Sequence, residues 1–411
     1  MKHIGIYCTN SISKKKLINA ICNENLLRQH IDLSNQHGEV YSSITIDKMI
    51  EDEYKHDKII INTKANKTLE SMSSGQQRKA LAQYICEQKP DYIILDDMQS
   101  NVDVQTLDSL YTLFESHNSS CRYIQLFSRR NDILPYLDQI IEIDNDLNIV
   151  EAFDYKSFIE IITDDYTFHN ISFPKVFSKI PIYDPLVELR DVNVSYGTKQ
   201  VLNNIKWQIR PGEYWELRGA IGSGKSTMLS MIIGDNPKAF GQDIYLFGRK
   251  KGTGESVWDI KEKIGYFYPK MTQLFKRNDT VEDMIISGFF DSLGLYTKPT
   301  GWQQEIAREW IKNLGVEYKN KRFQELTSGQ QRIILVVRAL VKQPPLLILD
   351  EPTAGLDDNN ARLFVSLIQS ISQAKKIAII FVSHRKEDGL NPEHIYQLLP
   401  TEDGSIGKVV F

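Results

Sequence analysis

A pentamer occurs twice in this chain of 411 residues: Ser74-Gly75-Gln76-Gln77-Arg78 returns as Ser328-Gly329-Gln330-Gln331-Arg332, an offset of 254 (329 − 75). A second block keeps that spacing, since Ile93-Ile94-Leu95-Asp96-Asp97 returns as Leu347-Ile348-Leu349-Asp350-Glu351, again 254 apart (350 − 96). One offset shared by two separated blocks means duplicated architecture, so the fold of one half must also suit the other. The length agrees, because about 150 residues per domain predicts two or three domains. Tyr92 to Leu95, Leu346 to Leu349 and Ile377 to Val382 are short apolar runs bounded by polar residues, the pattern of strands buried on both faces of a parallel sheet. Gln77 to Glu87 and Gln330 to Val341 read as helices between them, which gives an α/β fold.

Pro174, Pro181 and Pro185 punctuate a stretch with no clear period, and residues 167–185 read as a linker. The expected domains are therefore 1–166 and 186–411. After the linker, Leu186 to Tyr196 and Val201 to Ile209 alternate around the turn Gly197-Thr198 as antiparallel strands do, an element with no counterpart in the first half. Lys plus Arg number 49 against 53 Asp plus Glu, a net charge of −4, so nucleic acid is not indicated by bulk electrostatics. Apolar runs stop far short of the roughly 20 residues that cross a bilayer. Ile4 to Cys8 is too short for a signal-peptide core, and the cytoplasm is the expected compartment. Cys8, Cys22, Cys86 and Cys121 match no metal-knuckle or redox spacing and are expected to be reduced.

Gly219-Ala220-Ile221-Gly222-Ser223-Gly224-Lys225-Ser226 fits G-x-x-x-x-G-K-S, with an apolar run before it and a helical pattern after it. Glycines suit such a loop because its backbone must curl until successive N–H groups face phosphate oxygens, adding to the positive end of the following helix. Lys225 would reach the β- and γ-phosphates. Ser226 would place a hydroxyl on Mg²⁺, and Asp350, closing the run Leu346 to Leu349, would hold the same ion.

Gly219 to Thr227, Leu326-Thr327-Ser328-Gly329-Gln330, Asp350-Glu351, Gly355-Leu356-Asp357 and Ser383-His384 resemble the five ordered motifs of the ATP-binding-cassette (ABC) ATPases. Within that family, Gly234-Asp235-Asn236-Pro237, Leu246-Phe247-Gly248-Arg249 and Gly254 to Ile260 are similar to the tandem ATP-binding proteins of molybdate-transport operons. The resemblance implies two nucleotide-binding domains in tandem, with ATP and Mg²⁺ as ligands. It gives Glu351 the role of general base or water-positioning carboxylate, places His384 on the γ-phosphate, and stacks adenine on Tyr196. One departure stands out: the glutamine that normally closes the strand near Ile264-Gly265-Tyr266 is replaced by Tyr268-Pro269, with Gln273 arriving four residues late.

Aligned on its first strand, the amino-terminal half sets Cys8 against Gly219, Ser13 against Gly224 and Lys14 against Lys225, so every required glycine is missing. Lys15 stands where Ser226 supplies a hydroxyl, Asp97 replaces Glu351, and Arg129 replaces His384. The loop-to-signature distance is 61 residues (75 − 14) against 104 (329 − 225), so this half is truncated by about 43. Its signature Met72-Ser73-Ser74-Gly75-Gln76 survives. Because ABC domains pair head to tail, the resemblance implies one hydrolytic site per chain, with ATP on Gly219 to Thr227 closed by Ser73, Gly75 and Gln76. The alternative is that second halves pair between two chains as a homodimer, using Thr327 and Gly329. For the role, the resemblance implies the ATP-binding component of a transport system, working at the inner face of a membrane with separate permease subunits. A soluble mechanoenzyme acting on nucleic acid, ribosome or another complex is the competing class. Around Phe275 to Leu295, with Phe289 and Phe290, a groove for a permease helix would lie, although both phenylalanines are expected in the core.

Overall fold

The computed structural model describes residues 2–24, 26–56, 59–61, 68–99, 104–117, 120–160, 174, 183–314, 318, 320–383, 387 and 389–410. The chain forms two compact units, one of residues 1–164 with 355–358, the other of residues 165–354 with 359–411.

In the first unit the strands are β1 (Ile4–Tyr7), β2 (Gly38–Tyr41), β3 (Tyr92–Asp96), β4 (Arg122–Phe127), β5 (Gln139–Ile143) and β6 (Ile149–Asp154). They make one sheet in the order β2-β3-β4-β1-β5-β6, parallel except for the final β5–β6 pair. The helices are α1 (Lys14–Asn23), α2 (Ser43–His56), α3 (Ser74–Glu87), α4 (Val104–Glu115) and α5 (Tyr155–Glu160). Apolar side chains lie in separate clusters that share the sheet's alternation: Ile93 and Leu95 pack with Leu81, Ile85 and Phe114, while Ile94 packs with Ile4, Ile6 and Leu17.

The second unit opens with β7 (Val187–Tyr196) and β8 (Lys199–Ile209), the antiparallel pair expected from their alternation, which β10 (Asp243–Leu246) and β11 (Arg249–Lys250) extend into a four-stranded sheet. Its main sheet uses β9 (Tyr214–Gly219), β12 (Ile264–Phe267), β13 (Leu346–Asp350), β14 (Ala378–Val382), β15 (His394–Leu399) and β16 (Ile406–Val410) in the order β12-β13-β14-β9-β15-β16. Position by position this is the order of the first sheet, with β9 in the place of β1 and β13 in that of β3. The helices are α6 (Lys225–Ile233), α7 (Val257–Lys261), α8 (Val281–Ile286), α9 (Gly301–Leu314), α10 (Ser328–Leu340) and α11 (Asp358–Gln373).

The repeat extends to backbone conformation. Asp97 and Glu351, 254 apart, have φ of 52° and 49°, and Lys89 and Gln343, also 254 apart, both have φ of 51°. Side chains bearing a Cβ seldom enter this left-handed region, so its recurrence at matched positions marks a constraint common to both units.

Candidate functional site

The strand β9 runs in the middle of the second sheet and delivers Gly219 to the sheet's carboxyl end, where ligands of open α/β sheets bind. The next residues turn sharply: Gly222 and Gly224 have φ of +79° and +95°, and Gly224 caps α6. A Cβ on Gly224 would lie 2.6 Å from Leu202 Cδ2, whereas one on Gly222 would meet nothing within 4 Å among the described residues. Inside the turn, the Ser223 hydroxyl is buried and has no hydrogen-bond partner among the described residues. An orphaned donor beside a helix N-terminus fits an oxyanion such as phosphate.

Lys225 begins α6, its ammonium donating to the carbonyls of Gly219 at 2.6 Å and Ala220 at 3.0 Å. Burial pulls it below the usual lysine range, and the carboxylates of Glu351 and Asp350 pull it part of the way back. Ser226 is exposed beside it and Thr227 is half-buried. Asp350 closes β13 in register with Val382 of β14, and the Glu351 N–H donates to the Val382 carbonyl at 2.9 Å. The following loop is tied to α10, since the Arg332 guanidinium donates to the carbonyl of Pro352 at 3.2 Å and to that of Ala354. The same device appears in the first unit, where the Arg78 guanidinium donates to the Asp97 carbonyl at 2.7 Å. At the end of β7, Tyr196 is 46% exposed, with the Lys238 ammonium 5.7 Å from its ring centre.

Residues 202–354 match the family model described as ABC transporter. The ABC transporter ATP-binding protein ModF of Escherichia coli is 34% identical over 329 residues, covering 77% of this chain and 67% of ModF. The uncharacterized ABC transporter ATP-binding protein C323.04 of Schizosaccharomyces pombe is 30% identical over 336 residues, 78% of this chain and 66% of that protein. The chain thus spans about two thirds of the length of these relatives. The chain belongs to the ABC ATPase family. It is accordingly an ATP hydrolase. The zinc uptake system ATP-binding protein ZurA of Listeria innocua is 33% identical over 203 residues, 48% of this chain and 76% of ZurA. A chain from the crystal structure of archaeal ribosomal stalk protein aP1 with archaeal ribosome recycling factor aABCE1 matches with a TM-score of 0.63. It is 13% identical, covering 99% of this chain and 85% of that one, a likeness of fold alone.

Both ABC signature turns start a helix through a reciprocal cap. The Ser73 N–H donates to Gln76 Oε1 at 3.1 Å and the Gln76 N–H to Ser73 Oγ at 3.4 Å; for Thr327 and Gln330 the same two bonds measure 3.1 and 3.3 Å. Ser73 Oγ acts as acceptor in this cap, which leaves its own proton to donate elsewhere. The two glycines differ. A Cβ on Gly75 would meet Thr106 Oγ1 at 3.4 Å, ordinary contact, while one on Gly329 would fall 2.1 Å from Asn360 Cγ. Ser73 and Gln76 are exposed and Gly75 is half-buried, whereas Gly329 is buried.

The first unit's loop follows a different course. From Cys8 to Lys16 no residue has positive φ. Lys14 begins α1, as Lys225 begins α6, yet its ammonium donates to Cys8 Sγ at 3.1 Å and lies 3.8 Å from Asp96. Burial raises the Asp96 carboxyl to about 6, against the pull of Lys14. Beside these residues a cavity of about 340 Å³ is lined in part by Ser43, Asp97, Gln99 and Gln125.

His384 lies outside the described residues. Glu387, three positions on, is buried and accepts a 2.6 Å hydrogen bond from Thr353 Oγ1, two residues beyond Glu351. Gln273 is exposed in the short helical turn after Tyr268. Sequence reasoning missed Tyr266 on β12, whose phenol is pushed up by burial first and then by the Asp350 carboxylate; the aromatic ring at that strand position was the available signal. Phe289 packs edge-on against Trp302 with ring centres 5.1 Å apart, and Phe290 is exposed, so neither belongs to the buried core expected of them. Among the described residues, no helix is long and apolar enough to cross a membrane.

Proposed function

We propose that the chain binds and hydrolyses MgATP at one composite site, built from the phosphate loop of the second domain and the signature of the first. Gly219, Gly222, Ser223, Gly224, Lys225 and Thr227 hold the phosphates, and Tyr196 carries adenine. Ser226 and Asp350 would hold Mg²⁺, which would supply charge neutralisation for the triphosphate. Glu351 aligns the attacking water and accepts its proton, and His384 contacts the γ-phosphate. Ser73, Gly75 and Gln76 close the site. The observation that carries this reading is the difference between the two signature glycines: among the described residues a Cβ on Gly75 would meet Thr106 at ordinary distance, while one on Gly329 would fall on Asn360. Residues 1–166 then form a degenerate domain that donates a signature without holding a triphosphate of its own. Two features support that: a loop lacking left-handed residues, and a lysine engaged by Cys8 and Asp96.

The ATPase serves as the ATP-binding component of a transport system, at the cytoplasmic face of a membrane with separate permease subunits. Support comes from the ModF and ZurA likenesses and from four large apolar side chains left exposed near α8 and the start of α9, Phe290, Leu293, Tyr296 and Trp302. The test uses Glu351→Gln protein, which should retain one ATP per chain at saturation and fractionate with membranes through a captured integral-membrane partner. Two ATP per chain would refute the one-site reading. Recovery from the soluble fraction with a ribosomal or nucleic-acid complex would replace transport by the mechanoenzyme alternative.

A further inference from the structure

The segment after α6 joins the two ends of the nucleotide site. Asn236 is buried, and its side-chain orientation is fixed because Oδ1 accepts a hydrogen bond from the Lys238 N–H at 3.0 Å. Its Nδ2 therefore has two protons to give, and both are used: one goes to the Tyr196 hydroxyl at 2.9 Å, the other to Ser230 Oγ at 3.0 Å. Ser230 lies one turn beyond Ser226 on α6 and donates to the Thr227 carbonyl at 2.8 Å, while its own carbonyl accepts the Asn236 N–H at 3.1 Å. An unbroken chain of hydrogen bonds thus runs from the first turn of the phosphate-binding helix, through Ser230 and Asn236, to the ring at the end of β7. The same turn carries Lys238, whose ammonium lies over that ring.

Tyr196 is 46% exposed, and a half-exposed strand-end phenol would otherwise swing among rotamers. A base stacked on a swinging ring gains less, because the ring must be ordered when the base arrives. We propose that Asn236 is a positioning residue for nucleotide recognition. It locks the Tyr196 ring at a fixed separation from the phosphate cradle, so that base and triphosphate of one ATP engage together. This inference rests on the reading of Tyr196 as the adenine platform.

The test measures binding of MgATP and of magnesium tripolyphosphate, which lacks a base, by calorimetry on the full chain. Asn236→Ala should weaken ATP about fivefold, the worth of one neutral hydrogen bond, and leave tripolyphosphate unchanged. Tyr196→Phe, which removes one hydroxyl from an exposed ring and does not endanger folding, should weaken ATP to the same extent. The double variant should be no worse than either single one, since both break the same link. The proposal is overturned if Tyr196→Phe binds ATP like the parent, if the two losses multiply in the double variant, or if Asn236→Ala weakens both probes alike, as a purely structural support of α6 would. Tyr196→Ala separates this from the underlying reading. If it fails to weaken ATP relative to tripolyphosphate, the platform itself is misassigned; if it does weaken it while Asn236→Ala does not, only the positioning role fails.

Discussion

Placing a carboxylate at residue 75 or at residue 329 separates a composite site from one formed between two copies of the second domain. At residue 75 the fold itself should tolerate the change. The new Cβ would find Thr106 Oγ1 at 3.4 Å and Cγ2 at 3.7 Å, and an acidic side chain in the first turn of α3 is favoured by the helix dipole. Melting should move little. In a closed site, however, an added unit charge about 5 Å from a phosphate oxygen, at an effective dielectric of about 20, costs about 3 kcal/mol per unit of phosphate charge. That corresponds to at least about a hundredfold loss of turnover. At residue 329 the balance is reversed, because the Cβ would lie 2.1 Å from Asn360 Cγ and 2.5 Å from Asn360 Cβ. Gly329→Asp must displace the Asn360 side chain and should lose about 1–3 kcal/mol of stability, while turnover measured below its melting point stays near parental. The assay is phosphate release at saturating MgATP, paired with a thermal melt of each variant. A folded Gly75→Asp protein that hydrolyses ATP at the parental rate, or a Gly329→Asp protein that is folded and inactive, would refute the reasoning.

Three further outcomes follow from the geometry. Asp96→Asn should stabilise the protein by about 1–2 kcal/mol at pH 7.5, since burial raises this carboxyl to about 6 and its ionised form opposes folding above that pH. The folded state binds the extra proton between the ordinary aspartate range and about 6, so parental stability declines as pH rises through that window; urea melts from pH 3.5 to 7.5 should show the gap closing at the acid end. Gly224→Ala forces a Cβ into a left-handed residue and against Leu202, and should cost about 1–3 kcal/mol of stability together with most ATP affinity, read by melting and calorimetry. Lys225, held below the usual lysine range by burial, should regain basicity when phosphate arrives, so ATP binding at alkaline pH takes up protons. Calorimetry in buffers of different ionisation enthalpy should detect that uptake in the parent and lose it in Lys225→Arg.

How much of this could be read from residues alone depends on how local each cause is. The loop from Gly219 to Ser226 announces itself because its function requires glycines at fixed spacing in one short stretch, and the signature helices because their caps span four consecutive residues. The 254-residue repeat gives the correspondence of β3 with β13, and the alignment of the first strands gives that of β1 with β9. What escaped depends on residues that meet only after folding. Nothing near Gly329 reveals that Asn360, on a later helix, covers it, yet that contact distinguishes the two otherwise matching signatures. The left-handed backbone at Asp97 and Glu351 is equally silent, because an acidic residue does not ask for positive φ. That conformation survives in the first unit although its loop has lost the glycines. Asp97→Gly offers a direct check: if the left-handed turn is held for the sake of the signature helix, relieving its strain should stabilise the first unit without altering turnover, whereas lost turnover would assign Asp97 a part in the chemistry.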